Sequence, residues 1–139
     1  MLKKALISLV VSYSFATSAI AGELKADMDG LASNLVEIQM GFFTNNTELT
    51  LKSTKTLKEH VHRVLGNEDA ITKLLPDNVK HKASIALNSA EIIEKNVKII
   101  EDTYNDTNSR AITKQMKSQK AFVEIQNQCF RCHNLVRDW

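Results

Sequence analysis

Proline occurs once in this chain and glycine four times, and aromatic residues make up only 6% of its 139 positions. After Gly22 the backbone is punctuated only by Gly30, Gly41, Gly66 and Pro76. So sparse a set excludes folds rich in tight turns and favours long uninterrupted elements. No stretch alternates apolar with polar residues over the length of a strand, and no Val, Thr and aromatic cluster marks a sheet, so helices are expected throughout. Cysteine is scarce too: with only Cys129 and Cys132, an exported chain could form at most a single disulfide. An excess of one charge is also missing, with 18 Lys and Arg against 16 Asp and Glu. Those charges are scattered at helical spacing, which suits a solvated helix surface and gives no case for nucleic acid.

The N-terminus has a character of its own. Met1-Leu2-Lys3-Lys4 is followed by an apolar run from Ala5 to about Val11 and by small residues ending in Ala19-Ile20-Ala21. A basic region, a hydrophobic region and an A-x-A site in that order form a secretory signal. A membrane anchor needs about 20 consecutive apolar residues, whereas Ser8, Ser12, Ser14, Thr17 and Ser18 interrupt this run. Residues 1–21 are therefore expected to be cleaved and residues 22–139 to form one soluble periplasmic domain, with a single core. No later stretch is apolar enough to span a bilayer.

Within that domain the apolar residues step by three and four. A first helix over residues 23–43 places Met28, Leu31, Leu35, Ile38 and Phe42 on one stripe, which must face a core. Thr44-Asn45-Asn46-Thr47 is turn-prone, and a second helix over 47–65 buries Leu51, Leu57, Val61 and Val64 or Leu65 before Gly66. Residues 66–77, with Leu74-Leu75-Pro76, read as the longest connection. A third helix over 78–104 carries Ala83, Ala86, Ala90, Ile93, Val97 and Ile100. A fourth starts near Ser109, with Ile112, Met116, Phe122, Ile125, Cys129 and Cys132 towards the core. Amphipathic helices with short links predict an all-α fold, an antiparallel four-helix bundle.

The chemistry concentrates in Cys129-Phe130-Arg131-Cys132-His133. Cysteines at i and i+3 lie on one helix face about 5 to 6 Å apart, a spacing that suits thioether bonds to the two vinyl groups of a haem. His133, at i+4 from Cys129, projects from the same face and can reach the iron. A disulfide, a redox dithiol or half of a zinc site are the competing readings, and none of them requires the histidine. A redox C-x-x-C usually sits at a strand-to-helix junction, and zinc needs a further Cys or His pair. His60 and His62 diverge on a helix. One covalent haem c on the C-terminal helix is the expected cofactor.

With the motif on the last helix of a bundle, the chain resembles the class II c-type cytochromes, periplasmic four-helix proteins that include the cytochromes c-prime and their low-spin relatives. The resemblance runs over essentially all of residues 22–139. It is best at residues 129–137 and in Lys73-Leu74-Leu75-Pro76-Asp77-Asn78-Val79-Lys80, which looks like the low-spin branch. It implies that His133 is the proximal ligand and that Arg137 lies beside the proximal side of the haem. It also implies that Met28 stands where low-spin members carry a methionine ligand; by its own spacing Met28 is simply a core methionine. Thr44-Asn45-Asn46-Thr47 departs from the family, lacking the basic and glycine residues usual there. Met40 is the rival ligand, but twelve residues turn it about 120° away. It groups with Ala32, Val36 and Phe43 in a second stripe, suited either to a homodimer through the first two helices, as the resemblance implies, or to flank packing within the bundle. Met116 is expected in the core, and His60, His62 and His81 at the surface.

With Met28 on the iron, the expected function is one-electron transfer between periplasmic redox proteins. If Met28 does not reach it, a five-coordinate haem lined by Leu31 and Leu35 would bind nitric oxide or carbon monoxide. Peroxidase-like catalysis ranks last, since no acid–base group lies on the first-helix stripe. Export is open to direct test: N-terminal sequencing of the periplasmic product should begin at Gly22, and Lys3→Glu with Lys4→Glu should leave the chain in the cytoplasm. Recovery of a periplasmic protein still carrying Met1 would contradict the cleavage site.

Overall fold

The computed structural model describes residues 8–136, with side-chain surroundings for residues 24–134. Among them the chain is all-helical: α1 (Ser8–Phe43), α2 (Thr47–Leu65), α3 (Glu68–Leu74), a 3-10 helix (Asp77–Lys82), α4 (Ala83–Asn105) and α5 (Ala111–Val136). None of these helices is long and apolar enough to cross a membrane. The first helix starts well before residue 23 and runs unbroken past Ala21 and Gly22, because that stretch contains no proline and no capping sequence to stop it.

Local signals set the boundaries between helices. Asn45 adopts a left-handed φ of 51°, a conformation asparagine tolerates better than most residues. The side chain of Asn46 then accepts the Leu49 N–H at 2.9 Å and caps α2, while Glu48 lies in the first turn where the helix dipole favours it. The expected long connection is mostly helical. Asn67 caps α3 through the Ala70 N–H at 3.1 Å, and Leu75 before Pro76 takes extended angles, as residues preceding proline do. The 3-10 turns after Pro76 delay the third long helix to Ala83 rather than residue 78.

The long helices share one apolar core, in which Ile38, Leu57, Val97, Ile100 and Ile125 are essentially inaccessible. Helix α2 packs against both α1 and α4, α4 against α5, and α3 closes over α2 and α4. Phe42 of α1 meets Phe122 of α5 with ring centroids 5.6 Å apart. Where α1 crosses α2 the contact is close: a Cβ on Gly41 would come within 2.9 Å of the Thr50 backbone nitrogen. Polar pairs pin the same seam. Arg63 donates to Asp27 at 2.7 Å, His60 Nδ1 donates to Asn34 Oδ1 at 2.9 Å, and Ser53 donates to Glu37 at 2.8 Å.

Several expected core positions lie outside the core. Ile112 and Met116 are 58% and 65% exposed, since the inward face of α5 runs instead through Ser118, Ala121, Phe122 and Ile125. Leu51 is only half-buried. Val36, Met40 and Phe43 are exposed rather than packed at a flank within the chain. His60, expected at the surface, is half-buried against Gly30, where a Cβ would sit 3.1 Å from its ring. His62 and His81 are exposed. In urea titrations followed by circular dichroism, Ile38→Ala should lower the unfolding free energy by about 2–5 kcal/mol, whereas Met116→Ala should change it by less than about 0.5 kcal/mol.

Candidate functional site

Helix α5 continues without a break through the cysteine motif. Helical spacing turns Cys129, Cys132 and His133 towards one side, where they form part of the wall of a cleft of about 90 Å³ that opens to solvent. Helix α1 contributes Met28, Leu31, Ala32 and Leu35 to the same cleft, and α2 contributes Leu57, Val61 and Leu65. Ser89 and Ile93 of α4 and Gln128 of α5 complete it. Residues about a hundred positions apart in sequence thus meet in one mostly apolar space.

The candidates sort cleanly against this geometry. Met28 lies in the cleft wall with both cysteines and His133, and Leu31 and Leu35 stand beside it. Met40 and Met116 do not line it and are 48% and 65% exposed. Arg137 lies outside the described residues. Ser89 and Gln128 carry no site signal in their residue types, although Gln128 directly precedes Cys129 and Ser89 falls on the same face of α4 as Ala86 and Ile93.

Burial governs the chemistry of the thiols. It pushes the Cys129 thiol up to about 11, with the neighbouring Cys132 adding to the shift, and burial raises Cys132 as well. Both are therefore neutral thiols at neutral pH. A dithiol redox pair relies on one cysteine with a lowered pKa, the reverse of this arrangement. Among the described residues no three His, Cys, Asp or Glu gather as a metal-ion site. The two histidines weighed as a second zinc pair have other partners: His60 bonds Asn34 and His62 lies 3.3 Å from Glu94.

The lining is mostly apolar, of the kind that suits the body of a flat apolar cofactor in its chemistry, and it has two buried polar exceptions. Ser89 Oγ and Gln128 Oε1 are buried at the cleft with no hydrogen-bond partner, while the Gln128 amide nitrogen is used, donating to Glu124 at 2.7 Å. A buried unpaired polar atom costs about 1–3 kcal/mol, so these two favour a bound group that meets them. A second, more polar hollow lies at the other end of the long helices, between Asn45, Thr47, Tyr104 and Lys114. It is lined by no cysteine, histidine or carboxylate.

The chain matches no protein-family model, no curated protein and no solved structure. What can be said of its chemistry therefore rests on the cleft. With the cleft free of any bound group, alkylation of Cys129 by iodoacetamide should be roughly a hundredfold slower at pH 7 than that of a free cysteine. The rate should climb about tenfold per pH unit towards pH 11. Mass spectrometry of the labelled peptide reads both, and fast labelling at neutral pH would contradict the buried neutral thiol.

Proposed function

We propose that this chain is a periplasmic c-type cytochrome of the class II kind, an antiparallel four-helix bundle with one covalent haem c, exported by residues 1–21, and that it passes single electrons between redox proteins. The observation that carries the reading is the meeting of Met28 with Cys129, Cys132 and His133 in one apolar cleft. In this reading Cys129 and Cys132 would hold the haem through thioether links to its two vinyl groups, each thiol adding its sulfur and its hydrogen across one double bond with no net oxidation.

Once bound, the haem supplies a one-electron iron couple. His133 would offer the iron an imidazole nitrogen, and Met28 would offer it a thioether from α1. Histidine–methionine ligation raises the potential. Leu31, Leu35, Leu57 and Ile93 make the surround on the Met28 side apolar, which lowers the local dielectric there, while His133 is exposed. Ser89 and Gln128 are placed to hydrogen-bond whatever polar edge the cleft encloses. The pins between α1 and α2, above all Asp27 with Arg63 one residue from Met28, hold the α1 ligand at a fixed rotation. Little rearrangement is then needed when one electron is exchanged. Encounters with redox partners of this type bury small interfaces and are brief.

Optical spectroscopy of the periplasmic protein tests the reading. Haem should stay with the chain on a denaturing gel, and Cys129→Ser with Cys132→Ser should abolish that. The reduced protein should show a sharp low-spin spectrum and the oxidised protein a thioether charge-transfer band. Met28→Ala should remove the band, lower the potential and admit carbon monoxide. A wild-type protein that is already high-spin and takes carbon monoxide readily would replace electron transfer with gas binding. A colourless protein would end the haem reading altogether.

A further inference from the structure

The outward face of α5 carries four large apolar residues, interspersed with Gln119, Asn127 and Asn134, where a helix of this kind is ordinarily polar throughout. Ile112, Met116, Val123 and Phe130 are 58%, 65%, 53% and 65% exposed. At 3.6 residues per turn they fall within about 40° of one another, a straight stripe opposite the side that carries Phe122, Ile125 and Cys129. One flank of this stripe is basic. Lys117, Lys120 and Arg131 lie along it, all exposed, and its one acid, Glu124, is half-buried and accepts from Gln128. The other exposed apolar stripe, Val36, Met40 and Phe43 on α1, has no comparable set: Glu37 is the charged residue among its neighbours in that stretch of sequence.

The stripe also leads somewhere. Phe130 and Arg131 are the two residues between Cys129 and Cys132, so its C-terminal end lies on the back of the candidate attachment site. We infer that the outer face of α5, the Ile112–Met116–Val123–Phe130 stripe with Lys117 and Lys120 beside it, is the docking surface for an acidic redox protein. The inference rests on the reading of Cys129 and Cys132 as haem attachment points. The apolar stripe supplies the dry centre of a small interface, and the lysines steer an acidic surface onto it. The charge is directional even though the whole chain is nearly neutral: α5 carries Lys114, Lys117, Lys120 and Arg131 against Glu124 alone.

A suitable probe is a reduced acidic [2Fe–2S] ferredoxin, whose cluster gives one electron to the oxidised haem protein while the cluster itself is oxidised. Its bimolecular rate is followed by stopped flow between about 10 and 300 mM salt, a range over which the Debye length drops from about 30 to below 8 Å. The wild-type rate should fall about tenfold over that range. Lys117→Glu with Lys120→Glu should slow the low-salt rate about tenfold with the optical spectrum unchanged, and Met116→Ser with Val123→Ser should slow it without altering the salt slope. A flat salt profile, or lysine variants as fast as wild type, would overturn the docking surface and leave the haem reading intact. So would a dimer in sedimentation that Met116→Ser with Val123→Ser dissociates, since a second copy would then cover the stripe. So would lysine-dependent binding to phosphatidylglycerol vesicles without any preference for the ferredoxin. Absence of haem from the spectrum sinks the underlying reading, and the docking surface with it.

Discussion

The seating of α1 on α2 is the contact on which the candidate site depends. Gly41 lets the two backbones approach at Thr50, and the three polar pairs Asp27–Arg63, Asn34–His60 and Glu37–Ser53 fix how α1 is rotated. The one ion pair among them, Asp27–Arg63, is solvent-facing and contributes about 0–1 kcal/mol, and the two part-buried hydrogen bonds contribute about 1 kcal/mol each. Their value here is one of register, because a helix turned by a single residue swings each side chain through about 100°. Such a turn would take Met28 and Leu35 out of the cleft wall and bring neighbouring side chains into it. The apolar stripe alone would tolerate smaller slips, and the paired side chains along the seam do not.

Much of the architecture was legible in the sequence because helix signals are local. Three- and four-residue steps of apolar side chains, a lone proline and the Asn46 cap fix where α2 and α4 run. The harder part was the faces of α5. Ile112 and Met116 share a spacing with Phe122 and Ile125 that looks continuous over a short window, yet the true inward face passes through Ser118 and Ala121. A small or hydroxylated residue in a core is invisible to a pattern of large apolar ones. His60 was misread for the opposite reason. It looks like a surface residue until Gly30 on another helix is known to leave room for it.

The candidate site divides along the same line. Cys129, Cys132 and His133 were readable from spacing within one helix. Met28 is not separable from any other core methionine by periodicity, because the groups it faces depend on which helix it meets; Met28 lines the cleft and Met40 does not. Ser89 and Gln128 carried no signal at all, since an unpaired hydroxyl or amide is a property of the assembled surroundings. The elevated thiol of Cys129 belongs to the same class, being set by burial more than by its neighbours in sequence.

Helical geometry makes the two sides of α5 inseparable. Two cysteines that face one group from a single helix must be three or four residues apart, and the residues between them then lie about 100° and 200° further round. The intervening side chains are thereby forced towards the outside of the bundle, whatever they are. Here they are Phe130 and Arg131, an apolar ring that is 65% exposed and a permanent cation. In the proposed reading, an electron entering or leaving through that end of the molecule would cross a short path from Cys129 and Cys132 to a surface with large apolar side chains and a basic border. Polar residues at both positions would have served solubility better. Leaving a phenylalanine there makes sense if something periodically covers it.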